Sequence, residues 1–260
     1  PISTIDEVLN IVSISTITIG SVSEPMMDKA RAMSNVDMVN EGIDLPDKYD
    51  GNGVVVGFSD IGFDPNHINF KDANGNSRVK RIVNYVDSSA TIIDLTTPSE
   101  ILNWQTDDMS QCHATIVAGV LTGSYKENGY HGVASGAEIV ATTSGLYDGS
   151  ILAGVENVVE YAKSVDKPAV VNISIGSYIG PHDGSSLFCQ YLDKIGEEAI
   201  ICMAAGNEGA RPNVLKMDFS SENNQFKTFV FDTKNISVAC GLLGIWAAKK
   251  LSEGMPYEEV

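Results

Sequence analysis

The stretch Gly51-Asn-Gly-Val-Val-Val-Gly-Phe-Ser-Asp60-Ile-Gly-Phe63 decides how the rest of the chain is read. Asn52-Gly53 is a turn signal. Val54, Val55, Val56 and Phe58 follow as a short apolar run rich in β-branched residues. Such a run, bounded by turns, predicts a strand buried on both faces, as in a parallel sheet. It stops at an acid, Asp60, followed at once by Gly62. In open parallel sheets ligands sit beyond the carboxyl ends of the strands, so a carboxylate there is a candidate for chemistry. Taken alone, Asp60 fits an ordinary turn just as well.

Downstream of residue 131 the pattern alternates. Glu138 to Thr143 reads as strand, Ser150 to Ser164 as helix and Ala169 to Ile175 as strand. Leu187 to Glu197 then reads as helix and Ala199 to Ala205 as strand. Strands alternating with helices predict βαβ units and a parallel sheet. Before that, Gln111 to Gly123 predicts a helix of small and apolar residues, the kind that sits close to a sheet. Between them Asp64 to Asp108 reads as a surface stretch with turn signals and a single β-like run, Val79 to Val86. Upstream, Ser13 to Ile19 alternates like a strand, and Pro25 to Met33 predicts a short helix with Pro in its first turn. A polar link, Asn40 to Asp50, follows. A last helix is predicted from about Val238 to Leu251.

The chain has 260 residues, enough for one large α/β domain or two small ones. With 43% hydrophobic and 20% charged residues, a sizeable core is available. The formal charge of −17 argues against a nucleic-acid partner or an anionic membrane surface, both of which want a basic face. No segment has the apolar length of a membrane span; the longest candidate, Ile236 to Ala248, is too short. The start lacks the basic region of a signal peptide, and Pro1 in place of an initiator Met leads us to expect a trimmed chain. Cys112, Cys189, Cys202 and Cys240 show no metal-type pairing, so buried free thiols are the default expectation, a disulfide being the alternative that sequence alone does not assign.

Four polar residues fall at strand ends or helix starts: Asp60, His113, Asn207 after Ala204-Ala-Gly206, and Ser237 before the last helix. A nucleophile needs a base, the base an orienting acid, and a developing oxyanion a fixed donor; these four side chains suit those roles. Each also has a plain structural explanation: a core histidine, turn residues, and an N-cap serine.

Five segments in order carry a resemblance. Val54 to Asp64, with Ser59-Asp60-Ile-Gly62, is similar to the aspartate segment of the subtilases, the subtilisin-like serine proteases. His113-Ala-Thr-Ile-Val-Ala-Gly119 resembles their His-Gly-Thr-His-Val-Ala-Gly. His131-Gly-Val-Ala-Ser-Gly-Ala-Glu-Ile139 resembles Gly-Val-Ala-Pro-Gly-Ala. Val171-Asn-Ile-Ser-Ile-Gly176 resembles the Asn-Met-Ser-Leu-Gly strand, and Ala204-Ala-Gly-Asn-Glu-Gly209 the oxyanion segment. Together they cover roughly residues 48 to 210. The departures are Ile61 for a small hydroxyl residue, Ala114 for Gly and Ile116 for the second His. The serine segment Asn235-Ile-Ser-Val-Ala-Cys-Gly241 lacks the family's preceding Gly-Thr and its Pro.

The resemblance implies an α/β fold, a subtilisin-like parallel sheet with helices on both faces. It implies a serine endopeptidase in the subtilisin order Asp, His, Ser. Ser237 would be nucleophile, His113 base, Asp60 its orienting acid and Asn207 the oxyanion donor. A polypeptide substrate would add as a strand along Ser174-Ile175-Gly176. It implies no organic cofactor; calcium is common in the family, but no ligand set stands out here. It implies a secreted or cell-envelope location, and an inhibitory prodomain of which residues 1–24 would be a remnant, the protease domain being 25–260. Only 30 positions separate Asn207 from Ser237, so residues 212–235 are expected to be abbreviated or the start of an insert. The alternative is a catalytically impaired relative that binds peptides or a partner protein.

Overall fold

A computed structural model describes residues 27–86, 91–127, 129–144, 146–177 and 184–204. Its centre is β1 (Val55–Asp60), buried along its whole length. β4 (Glu138–Ser144) flanks it on one side in parallel, with Val55 opposite Glu138 and Asp60 opposite Thr143. β5 (Ala169–Ile173) flanks it on the other, also parallel. The sheet extends through β2 (Val79–Val86) beyond β4, and through β6 (Ile200–Met203) beyond β5. β3 (Thr91–Leu95) closes one side by pairing antiparallel with β2, so the order is β3-β2-β4-β1-β5-β6.

The sheet is therefore mixed rather than wholly parallel, and the predicted surface stretch contains two of its strands. β2 is an inner strand, with Val79, Ile82 and Val83 almost fully buried. Its period is obscured because Lys80 and Arg81 interrupt the apolar run. Arg81 runs its stem across the sheet and pairs with Asp94 on β3, Nε to Oδ1 at 2.9 Å and Nη2 to Oδ2 at 2.8 Å. β3 buries little apolar surface, and its β-branched Thr91-Ile92-Ile93 is the signal that the sequence reading passed over.

Before the sheet stand α1 (Met27–Met33) and α2 (Val36–Glu41), the second falling between the predicted helix and the predicted link and overlapping the link only at Asn40 and Glu41. After β3 come α3 (Pro98–Asn103) and α4 (His113–Thr122). After β4 comes α5 (Asp148–Ser164), and after β5 α6 (Leu187–Ile195). Alternation along the strands sends side chains to two cores. Val55, Val140, Val171 and Ile173 pack with Ile151, Val155, Val158 and Val159 of α5 and Leu192 and Ile195 of α6. Phe58, Ile82, Ile139 and Ala141 pack with Ile101 of α3 and Ala114 and Ala118 of α4. The helices thus lie on both faces, as the resemblance implied.

The buried positions of α5, from Ile151 through Gly154, Val155, Val158 and Val159 to Ala162, recur every three or four residues and form one face. That face lies so close to β1 that a Cβ on Gly57 would meet both Val158 methyls at 2.3 Å. On the opposite face the small residues Ala114 and Ala118 let α4 approach in the same way.

Candidate active site

The turn that leaves β1 and the first turn of α4 satisfy one another. The opening amides of a helix have no partners within it. Here Ala114 N–H donates to Ile61 O at 2.8 Å and Thr115 N–H to Gly62 O at 3.2 Å. The Thr115 hydroxyl donates to Gly62 O at 2.9 Å and accepts from Asp64 N–H, also at 2.9 Å. Beneath the turn Phe63 stacks edge-on against Phe58, with centroids 5.0 Å apart, and tilts against Phe70 at 5.2 Å. Aromatic pairs of this kind add about 0.5–1.5 kcal/mol each beyond their burial. The strand end and the helix start are therefore held together by backbone bonds on one side and aromatic packing on the other.

This junction brings the two expected residues into contact. His113, the first residue of α4, has Nδ1 2.7 Å from Asp60 Oδ1. The Asp60 side chain is fully buried, while that of His113 is 48% exposed. Ile61 N–H donates to the same Oδ1 at 2.7 Å. With Asp60 ionised the carboxylate only accepts, which puts the imidazole proton on Nδ1 and leaves Nε2 as an acceptor. The arrangement can take a proton from a nucleophile and hold the resulting imidazolium beside a buried negative charge.

Burial pushes the Asp60 carboxyl above its ordinary range; the His113 and Ile61 hydrogen bonds and the His113 charge pull it back, and the nearby Asp107 charge adds a further upward push. Asp60 Oδ2 is buried and has no hydrogen-bond partner among the described residues; the same holds for Thr143 Oγ1, on the residue opposite it in β4. Both features keep the carboxyl poorly solvated.

Ser174, Ile175 and Gly176 continue from β5 rather than belonging to it, since the strand ends at Ile173 and not at Ile175 as predicted. They leave the sheet at the carboxyl end, the same rim as Asp60. Ser174 Oγ accepts from Asn172 Nδ2 at 2.8 Å, and a Cβ on Gly176 would meet nothing within 4 Å among the described residues. Asn207 and Ser237 lie outside the described residues, as do residues 1–24 and 212–235. Ala114, one methyl larger than the family's Gly, is fully buried against the sheet. Ile116 projects from α4 with 60% of its surface exposed.

Asp107 was not singled out in the sequence. Its carboxylate accepts from Gly62 N–H at 3.1 Å to each oxygen and from Phe63 N–H at 3.0 Å. Among the described cysteines Cys112, just before His113, is exposed rather than buried as expected, and Cys189 and Cys202 are half-buried. No group of three His, Cys, Asp or Glu side chains that could hold a metal exists among the described residues. No helix there is long and apolar enough to cross a membrane.

The family model described as the subtilase family matches residues 51–237. This chain belongs to the subtilase family. A curated relative among the subtilases, the PI-type proteinase of Lactococcus lactis subsp. cremoris, is 27% identical over 241 residues, which is 79% of this chain and 12% of that protein. The solved structure of the Clostridium perfringens CspB protease superposes with a TM-score of 0.59 at 28% identity. That match covers 70% of this chain and 40% of that one. The chain thus spans well under half the length of these subtilase relatives. Its mixed, mostly parallel sheet with helices on both faces is the subtilase architecture.

Proposed function

We propose that the protein containing this chain is a subtilisin-like serine endopeptidase that hydrolyses peptide bonds through Asp60, His113 and Ser237. The observation that carries the reading is the 2.7 Å contact between a buried Asp60 and a half-exposed His113 at the strand rim. In this reading Asp60 fixes the His113 tautomer. His113 Nε2 takes the Ser237 proton as the hydroxyl attacks the peptide carbonyl, then returns it to the leaving amine. The Asn207 amide donates to the oxyanion, and the substrate backbone lies along Ser174-Ile175-Gly176. Neither step calls on a cofactor. Residues 1–24 are the remnant of an inhibitory prodomain, and the protein acts outside the cell or at its envelope.

One observation favours a second reading. The serine segment Asn235 to Gly241 lacks the family's Gly-Thr before the nucleophile and its Pro after. On that reading the chain keeps a peptide groove but not turnover. A fluorophosphonate probe separates the two, because it reacts only with an activated serine. Labelling at Ser237 that is lost in Ser237→Ala and in His113→Ala supports the endopeptidase. A folded chain that stays unlabelled while still retaining peptides is the impaired relative.

A further inference from the structure

Asp107 stands six positions before His113, in the loop that leads into α4, yet its carboxylate closes on the turn that follows Asp60. Three close donor–acceptor contacts reach it from the Gly62 and Phe63 amides, all at 3.0–3.1 Å. The same short turn supplies the Ile61 amide to Asp60 Oδ1 and the Ile61 and Gly62 carbonyls to the first amides of α4. Every polar backbone group from Ile61 N to Phe63 N is thereby tied either to the Asp60–His113 pair, to the helix that carries His113, or to Asp107. Bonds to an ionised acceptor are shorter and stronger than those between neutral groups, and a carboxylate can hold two adjacent amides at once. Asp107 is half-buried, so these bonds are partly shielded from competing water.

We propose that Asp107 is a positioning residue for the Asp60–His113 pair: it fixes the turn between them and thereby sets their separation. The inference builds on the proposed catalytic role of that pair, but the geometry it concerns exists whether or not the chain turns over substrate. The neighbouring Asp108 is a built-in contrast. Its carboxylate is spent on its own local turn, accepting from Ser110 N–H at 2.8 Å and Ser110 Oγ–H at 2.6 Å. A residue that merely stabilised the loop would be indistinguishable from Asp108. A residue that positions the pair would alter the pair's own hydrogen bond.

The test is proton NMR of the full chain, reading the His113 Nδ1–H resonance, which a short bond to a carboxylate moves far downfield of the amides. It is assigned by its loss in Asp60→Asn. The resonance is expected to shift and broaden partly in Asp107→Asn, which keeps one acceptor oxygen, and to be lost in Asp107→Ala. Asp108→Ala should leave it in place. Where the chain is active, Asp107→Ala should lower kcat about 10- to 100-fold with little change in KM, the effect of misplacing a reacting group by a fraction of an ångström to an ångström. Should Asp107→Ala fail to fold, Asp107→Asn decides by itself. A resonance unmoved in the Asp107 variants, or moved equally by Asp108→Ala, overturns the inference. A wild-type chain with the resonance but no turnover overturns the endopeptidase reading and leaves the role of Asp107 standing.

Discussion

Replacing Gly62 by Ala isolates the contact that joins the strand end to α4. Gly62 has φ of +80°, and a Cβ built on it would lie 2.7 Å from both the carbonyl carbon and oxygen of Gln111. Two costs add. The left-handed backbone costs a non-glycine residue about 1–2 kcal/mol. The overlap is with backbone atoms, which cannot rotate aside, and forced overpacking of this kind costs about 1–3 kcal/mol. The total is about 2–5 kcal/mol. Gly75 supplies the reference, because its φ is +83° and a Cβ there would meet nothing within 4 Å. Gly75→Ala carries the backbone cost alone, along with the same loss of unfolded-state freedom. Urea unfolding of both variants, followed by circular dichroism, gives the difference as the price of the contact, about 1–3 kcal/mol. Where the Gly62 variant folds, the chain relaxes by moving Gln111 away from the turn, and the amide of Ala114, three residues on, lengthens its bond to Ile61 O. The His113 Nδ1–H resonance should then broaden in Gly62→Ala and not in Gly75→Ala. Equal destabilisation of the two variants, within about 0.5 kcal/mol, would refute the close approach of Gln111 to the turn.

Two further outcomes follow from buried charge. Because burial raises the Asp60 carboxyl in the folded state, this group favours the fold most when protonated. That contribution is complete below the ordinary carboxylate range and is lost as pH rises through the raised folded value. Wild type should therefore lose stability relative to Asp60→Asn as pH rises from the ordinary carboxylate range through the raised folded value, read from urea midpoints; a gap that widens in favour of wild type would contradict the sign. Arg78 is buried, and its guanidinium donates to Ala137 O and Asn69 O at 2.9 Å each and to Thr122 O at the carboxyl end of α4. Burial pushes it down to about 10. Arg78→Met should cost about 3–5 kcal/mol, because three carbonyls lose their donor in the interior; a loss below about 1 kcal/mol would mean that the pocket is open to water.

How much of this was legible in the sequence depends on whether a residue's role is local. The places of Asp60 and His113 and their contact were legible, because one ends an apolar β-branched run and the other opens a helix of small residues. Those are local patterns with a fixed place in a parallel sheet. The helices and strands between residues 131 and 204 were also legible, with ends displaced by one or two residues, while the predicted last helix, Val238 to Leu251, lies outside the described residues. β2 was legible as a strand with the right ends, Val79–Val86, but was placed in a surface stretch because Lys80 and Arg81 break its apolar alternation, and the partner that explains Arg81 is Asp94 on the neighbouring strand. α3 carried a signal that went unread. Thr97, Pro98 and Glu100 form a capping box with Pro at the helix start, and Thr97 Oγ1 and Glu100 Oε2 each accept from the other's amide, at 3.4 and 3.0 Å.

Asp107 is a different case, since no spacing or composition marks it out among thirty-four acids. Its partners become visible only through the requirement that backbone polar groups away from water be paired. Once β1 and α4 are placed, Ile61 N–H is taken by Asp60, and the Ile61 and Gly62 carbonyls are taken by the helix amides. The Gly62 and Phe63 amides then remain without a partner in the turn or the helix, with Phe63 held by Phe58 and Phe70. Something on the lead-in to α4 must accept them. A carboxylate suits two adjacent amides better than any other side chain. The same accounting explains why the site tolerates Ala114 and Ile116 where the family carries Gly and His. Ala114 contributes its backbone N–H to Ile61 O and fits its methyl into the core, and Ile116 faces outward. Neither side chain enters the bonds that join Asp60 to His113.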